Sequence, residues 1–197
     1  MRKNILFNAV ALLCLNFSAS AQEKQILLRP VRGGEQVPDE FWNTPMQVYR
    51  NGKFTTENLM QYKGKVIVLD SWASWCGNCI EGFPKLKKLQ DSLGDDLQVI
   101  LVNKKAVRDD RAKVENVFNN NQAAVENMFT LVEDTLVNYL FPAVSLPTLV
   151  VINGDGYLTA VMEGSMFHPS NIIVLAQERR RVLIIRERYR QQKNVKP

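Results

Sequence analysis

The chain has 197 residues, of which 46% are hydrophobic and 23% charged, and this predicts one globular domain with a real hydrophobic core. The formal net charge of +5 is mild, and much of the positive charge lies between Arg179 and Lys196. The rest of the chain therefore has no feature that would attract nucleic acid, and we expect no nucleic-acid partner.

The first 21 residues have the three-part pattern of a secretory signal peptide. Arg2 and Lys3 form a basic head, an apolar run follows from Ile5 to Phe17, and Ala19-Ser20-Ala21 is a small-x-small cleavage pattern. The apolar run is short for a membrane span of about 20 residues, which disfavours an uncleaved anchor. We predict export to the periplasm or cell envelope and a net charge near 5 − 2 = +3 after cleavage.

The processed chain is expected to keep two cysteines. Cys14 lies in the apolar run, and Leu13 before it does not fit the small residue of a lipoprotein signal, so Cys14 leaves with the signal. Cys76 and Cys79 remain, three positions apart. One close pair is not a disulfide scaffold, which needs several pairs at longer separations. The pair is therefore a redox or a metal-binding unit.

The segment before the cysteines is predicted to contain two strands. Residues 22–50 are polar and irregular, and we interpret them as an N-terminal extension that ends in an edge strand near Met46 to Tyr49. Asn51-Gly52 is a strong turn signal, and Thr55 to Met60 is predicted to be a short helical turn with Thr56 as its cap. The apolar run Val66-Ile67-Val68-Leu69 predicts a buried central strand that leads to the cysteines.

The chain beyond Cys79 alternates between helical and strand patterns. Apolar residues at spacings of three and four predict a helix that Gly94 ends, and Asn119-Asn120-Asn121 is predicted to interrupt a later helical segment. The predicted order is a helix to Leu93, a strand at 97–102, helices over 105–128, a strand at 129–132, a helix at 135–141, a strand at 148–152, a turn at 153–156, a strand at 157–162 and a final helix capped by Ser170. This alternation predicts an α/β domain with right-handed crossovers.

The cysteines lie where the central strand gives way to a helix. At the N-terminus of a helix, unpaired backbone N–H groups and the helix dipole favour a thiolate, which is the nucleophilic form of cysteine. Cys76 would be the exposed attacking sulfur, and Cys79 would resolve the mixed disulfide. A structural zinc site needs four ligands, and two cysteines with the single histidine, His168, fall short of that number.

Several separated motifs resemble the thioredoxin superfamily. The stretch from Val68 to Cys79 resembles its active-site segment, Pro84 matches the proline inside its active-site helix, and Ser145-Leu146-Pro147-Thr148 resembles its cis-proline loop. The resemblance covers roughly residues 36–178. The signal peptide and the 67 residues between Cys79 and Pro147 make the chain most similar to the exported TlpA-like and ResA-like thiol–disulfide oxidoreductases.

The resemblance implies a fold and its boundaries. It implies a thioredoxin-like α/β fold, in which helices flank a central mixed sheet, with an inserted strand and helix before Pro147. The thioredoxin-like domain would span residues 51–178. Residues 179–197 would form a basic C-terminal helix or tail, whose arginines are either a solvated helical face or a contact with a membrane or an acidic partner.

The resemblance also implies roles for single residues. Asp70 would be a buried acid behind the cysteines that exchanges a proton with Cys79, whereas a strand-end aspartate facing solvent is the alternative. Pro147 would be cis and would present the backbone of Leu146 to an extended substrate. Trp75 would be a partly exposed lid beside Cys76, and Trp72 would pack beneath the motif. Gly77 and Asn78 would tune the redox potential. Glu133 or Asp134 is a looser alternative source of a polar group.

These implications predict an enzyme that reduces disulfides of exported client proteins. No histidine lies between the cysteines, which favours a reductant over an oxidant. Re-reduction would require a membrane electron-donor protein, and the redox-active disulfide would serve without a further cofactor or metal. The alternatives are a disulfide-forming or isomerising enzyme with the same site and a non-catalytic binding module. We expect a monomer.

Overall fold

The computed structural model describes residues 28–194, so the predicted signal peptide lies outside the described residues. Among these residues, seven strands form one sheet in the order β2-β1-β5-β4-β3-β6-β7. The strands are β1 (Met46–Arg50), β2 (Lys53–Glu57), β3 (Val66–Trp72), β4 (Leu97–Lys104), β5 (Thr130–Asp134), β6 (Thr148–Ile152) and β7 (Leu158–Glu163). β3, β4 and β5 are parallel, and the other pairings are antiparallel. The predicted mixed central sheet is confirmed.

Helices cover both faces of the sheet. They are α1 (Asp39–Asn43), α2 (Gly77–Leu93), α3 (Arg111–Asn120), α4 (Gln122–Val125), α5 (Leu136–Leu140) and α6 (Pro169–Asn194). Side chains of α2, α3, α4 and α6 form one core cluster with Val66, Val68 and Trp72 of β3. Side chains of α1 and α5 form a second cluster with Ile67 and Leu69. Since side chains alternate along a strand, β3 is buried on both faces, as its apolar run predicts.

The prediction of an edge strand at Met46 to Tyr49 is wrong. β1 lies inside the sheet between β2 and β5, and the edge belongs to β2. The turn at Asn51-Gly52 is confirmed: both residues have positive φ, as a tight hairpin requires. The hairpin pairs β2 with β1. It therefore spans the predicted boundary between the N-terminal extension, which would end at residue 50, and the thioredoxin-like domain, which would begin at residue 51.

The prediction of a helical turn at Thr55 to Met60 is also wrong over its first half. Residues Lys53–Glu57 form β2 and pair with β1, which suits the β-branched Thr55 and Thr56. A single turn of 3₁₀-helix follows at Met60–Tyr62. Thr56 therefore lies within a strand and does not cap a helix.

The second half of the chain follows the predicted order with shifted boundaries. The helical segment begins as a 3₁₀ turn at Lys105–Val107, and Asp110 then caps α3 by accepting from the Lys113 N–H. The asparagine run separates α3 from α4 as predicted. β5 and α5 occupy the segment where an inserted strand and helix are expected. Ser170 does not cap the last helix, because α6 already begins at Pro169, a residue favoured at the first helical position.

Candidate active site

Cys76 and Cys79 form a disulfide at the N-terminus of α2. Cys76 is the N-cap residue of the helix, and the two sulfurs are 2.03 Å apart. The Cys76 N–H donates to the Ala73 carbonyl, and the Cys76 carbonyl accepts from the N–H groups of Cys79 and Ile80. The pair thus lies between the end of β3 and the first turn of α2, where the helix dipole favours negative charge on sulfur.

The two cysteine residues differ slightly in their exposure to solvent. Cys76 is 8% exposed and Cys79 is 1% exposed. The prediction that Cys76 is exposed is wrong: the residue is buried as a member of the core cluster that also contains Ala73 and Trp72. The Cys79 sulfur lies 3.8 Å from the Ser71 carbonyl oxygen, which the reduced thiol could use as an acceptor. Cys76 is therefore the slightly more exposed residue of the pair.

Asp70 is buried on the face of the sheet that α2 covers. It is 2% exposed, and strand alternation puts it on the same face as Val68 and Trp72. Its Oδ1 atom has no hydrogen-bond partner among the described residues. Burial raises the pKa of Asp70 to about 8. The alternative of a solvent-facing aspartate is thus excluded, and the carboxyl group can hold or release a proton near neutral pH.

A groove of about 490 Å³ connects Asp70 to the surface. Its lining includes Asp70, Asn78, Cys79, Leu146 and Pro147. The Leu146–Pro147 peptide bond is cis, as predicted. Pairing of Thr148 with Ser71 brings this loop beside the end of β3, and the Thr148 hydroxyl donates to the Ser145 carbonyl at 2.7 Å. The predicted acid, resolving cysteine and proline loop therefore meet in one groove.

Gly164 allows a close contact with the proline loop. Its N–H donates to the Pro147 carbonyl at 3.0 Å, and any Cβ at this position would collide with the Pro147 ring. The 3₁₀ turn Gly164–Met166 therefore closes one side of the groove against Pro147.

The remaining predicted residues surround the disulfide. Trp75 is 67% exposed beside Cys76, and Trp72 is fully buried with its indole N–H donating to the Thr130 hydroxyl at 2.9 Å. Gly77 and Asn78 are exposed in the first turn of α2. Asp134 is not in the groove: its carboxylate accepts from backbone N–H groups at the start of α5, and exposed Glu133 does not line the groove either.

Asp109 holds the loop that precedes Cys76, a role that the sequence does not indicate. Its carboxylate accepts from the Ser74 N–H at 2.7 Å, the Ser74 hydroxyl at 2.6 Å and the Asn103 amide at 2.8 Å. Asn103 is buried at the end of β4. Asp109 and Asp110 lie within the segment 105–128 that is predicted to be helical, so the sequence alone gives neither residue a role at the active site. The contact with Ser74 spans 35 positions and depends on the folded chain.

Asp109→Ala is expected to loosen the active-site loop. Loss of a charged acceptor for three donors, one of them on a buried residue, should lower the free energy of unfolding by about 2 kcal/mol and slow disulfide exchange at Cys76. The matched control is Asp110→Ala, which removes a helix cap and should cost about 1 kcal/mol without slowing exchange. Urea unfolding and single-turnover exchange measure the two effects. Equal exchange rates in both variants would contradict a positioning role for Asp109.

The described residues offer no evident metal site. Within residues 28–194, no group of three or more His, Cys, Asp or Glu side chains is arranged to hold a metal ion. The chemistry that the arrangement supports is exchange between a dithiol and a disulfide, because one cysteine of a disulfide pair lines the same groove as a buried carboxyl group that can hold a proton.

Comparisons with known proteins agree with this arrangement. Residues 64–158, which include the cysteines and Pro147, match the family described as Thioredoxin-like. Thioredoxin-like protein YneN of Bacillus subtilis is 25% identical over 136 residues, which cover 69% of this chain and 74% of that protein.

Two solved structures share the fold. The exposed lipoprotein thioredoxin of Streptococcus pneumoniae has a TM-score of 0.54 at 23% identity, over 68% of this chain and 99% of that one. A secreted disulfide oxidoreductase of Mycobacterium tuberculosis, described as homologous to Escherichia coli DsbE, has a TM-score of 0.55 at 14% identity, over 72% of this chain and 99% of that one. At these identities the likeness shows the fold alone.

Proposed function

Because the chain has a thioredoxin-like domain with a Cys-x-x-Cys pair, we propose that it is an extracytoplasmic enzyme that reduces disulfides in exported client proteins. The observation that carries the proposal is the common groove, in which a buried acid lies with Cys79 and a cis-proline loop at the N-terminus of α2. A binding module without redox turnover would have no need of a reducible pair beside such an acid.

The reaction begins with the reduced protein. The Cys76 thiolate attacks one sulfur of a client disulfide, and the other client sulfur leaves as a thiolate that takes up a proton. A mixed disulfide now joins Cys76 to the client. Cys79 gives its proton to Asp70, and the resulting thiolate attacks the Cys76 sulfur of the mixed disulfide. This attack forms the Cys76–Cys79 disulfide and releases the client's second sulfur as a thiolate. The client gains two electrons and the enzyme loses two.

The surroundings of the pair support substrate binding and a reducing direction. Leu146 and Pro147 are half-buried on the groove, where the backbone of Leu146 would pair with an extended client segment. Exposed Trp75 would contact the client next to Cys76. Gly77 and Asn78 contribute no positive charge next to Cys76, so the thiolate is less stabilised than in a strong oxidant. A membrane protein would return electrons to the disulfide.

An extracytoplasmic location is part of the proposal. The first 21 residues have the signal-peptide pattern, and the similar structures include an exposed lipoprotein and a secreted oxidoreductase. We place the enzyme in the periplasm or the cell envelope, acting as a monomer on client proteins.

The experiment mixes the pre-reduced protein with an oxidised peptide that contains one disulfide, and the oxidised protein with the same peptide in its dithiol form. We expect rapid reduction in the first reaction and little oxidation in the second. The reverse pattern would favour the alternative, a disulfide-forming or isomerising enzyme. No exchange in either direction would contradict the enzyme and favour a binding module.

A further inference from the structure

Helix α6 extends well beyond its contacts with the domain. It has 26 residues, which span about 39 Å at 1.5 Å per residue. Its first half is anchored: Ile172 and Ala176 are buried, Arg179 packs over Gly154, and Arg180 forms an ion pair with Asp96. Every residue from Arg181 to Gln191 is exposed. Two arginines thus fasten the helix to the domain, and the following turns face solvent.

The exposed turns carry apolar and basic side chains on several sides of the helix, and one apolar stripe among them has arginines along both edges. At about 100° per residue, Val182, Ile185 and Tyr189 lie within about 60° of the helix circumference. Arg181 and Arg188 lie along one side of this stripe, and Arg186 and Arg190 lie along the other side. The single acid of these turns, Glu187, points away from the stripe. Leu183 and Ile184 are also exposed, but they point to other sides of the helix than the stripe does.

The charges indicate what this surface binds. A second copy of the chain would bring arginines against arginines along both borders of the stripe, which disfavours pairing of two copies. The side chains of an acidic helix would complement the positive charge of the arginines. The stripe, however, covers only about two helical turns, which is shorter than the three or more heptads that a stable coiled coil needs. An anionic lipid surface needs neither length nor register. It accepts a short apolar stripe and lets flanking arginines reach the headgroups.

We propose that residues 181–191 of α6 bind the surface of a bilayer that contains anionic phospholipid, with the stripe of Val182, Ile185 and Tyr189 towards the acyl chains. Among the described residues, no helix is long and apolar enough to cross a membrane, so α6 would lie on the surface. The anchored first half of the helix would then hold the redox domain close to the bilayer.

The test measures co-sedimentation of the protein, purified after export, with vesicles of phosphatidylcholine alone or with 30% phosphatidylglycerol. We expect binding only to the anionic vesicles, and weaker binding in high salt. The triple variant Arg186→Gln/Arg188→Gln/Arg190→Gln should bind about 100-fold more weakly, since each basic residue near an anionic surface contributes about fivefold, or about 1 kcal/mol. Val182→Ser/Ile185→Ser should also weaken binding.

A matched variant distinguishes the loss of these particular arginines from a general decrease in the net charge of the protein. Lys53→Gln/Lys88→Gln/Lys105→Gln removes three exposed charges elsewhere and should bind nearly as well as the unmodified protein. Equal weakening in both triple variants would overturn the proposal, as would the absence of binding to anionic vesicles. If the protein does not bind anionic vesicles, an acidic protein becomes the favoured binding partner of α6. Each variant should reduce the test peptide in solution at the unmodified rate, so failure here is distinguishable from failure of the proposed enzyme.

Discussion

Cys79→Ser is expected to trap the protein in covalent mixed disulfides with its clients. Cys76 is the more exposed of the two cysteine residues and occupies the N-cap position of α2, so it can still attack a client disulfide in this variant. The serine hydroxyl cannot resolve the adduct by exchange. Multiple turnover should fall by at least roughly 10³-fold, the scale on which loss of a nucleophile acts. The first attack should proceed at close to its normal rate.

The two cysteine variants distinguish the roles of the sulfurs. Client adducts of Cys79→Ser should appear on non-reducing gels and disappear with dithiothreitol. Cys76→Ser should form few adducts and have no turnover, because Cys79 is almost fully buried. Abundant adducts of Cys76→Ser, with none of Cys79→Ser, would reverse the assignment of the two sulfurs.

Asp70→Asn is expected to remove a large pH dependence of stability. Burial raises the pKa of Asp70 from 3.8 to about 8, so between these values the folded protein keeps a proton that the unfolded chain has released. The free energy of unfolding of the unmodified protein therefore falls as pH rises from about 4 to about 8, and then levels off. At 1.36 kcal/mol per pKa unit, the loss is on the order of 5 kcal/mol.

Urea unfolding of the oxidised protein at pH 4, 6 and 9 measures this dependence. Between pH 4 and pH 9 the free energy of unfolding should fall by several kcal/mol less in Asp70→Asn than in the unmodified protein. Any cost of the buried amide lowers the stability of the variant by the same amount at every pH. Exposed Asp155→Asn is the matched control and should keep the full dependence. In single turnover, resolution of the mixed disulfide should accelerate through about pH 8 only when Asp70 is present. Parallel pH profiles for all three proteins would contradict an ionisable buried Asp70.

Features fixed by local pattern could be predicted from the sequence. The apolar run of β3 leads directly into the cysteines, and the helical spacing after them gives α2, so the strand-to-helix position of the redox pair follows without a structure. The resemblance added the acid and the proline loop, whose distant positions in the chain meet only through the pairing of β3 with β6.

Features that depend on long-range pairing could not be predicted. Whether β1 lies at an edge depends on which strands flank it, and its own sequence carries no such information. Thr55 to Met60 is polar and short, so local preference could not separate a strand from a turn. The role of Asp109 requires the approach of two loops, since the local pattern around Asp109 predicts only a helical segment.

The reduction potential of the Cys76–Cys79 couple tests the proposed enzyme most directly. The protein is equilibrated in glutathione or dithiothreitol buffers of known potential, and the fraction of disulfide is measured after acid quenching. We predict a single two-electron transition near the value of thioredoxin, about −270 mV. A value near the −120 mV of a strong oxidant would contradict the reducing direction. The absence of any two-electron transition would contradict the redox function itself.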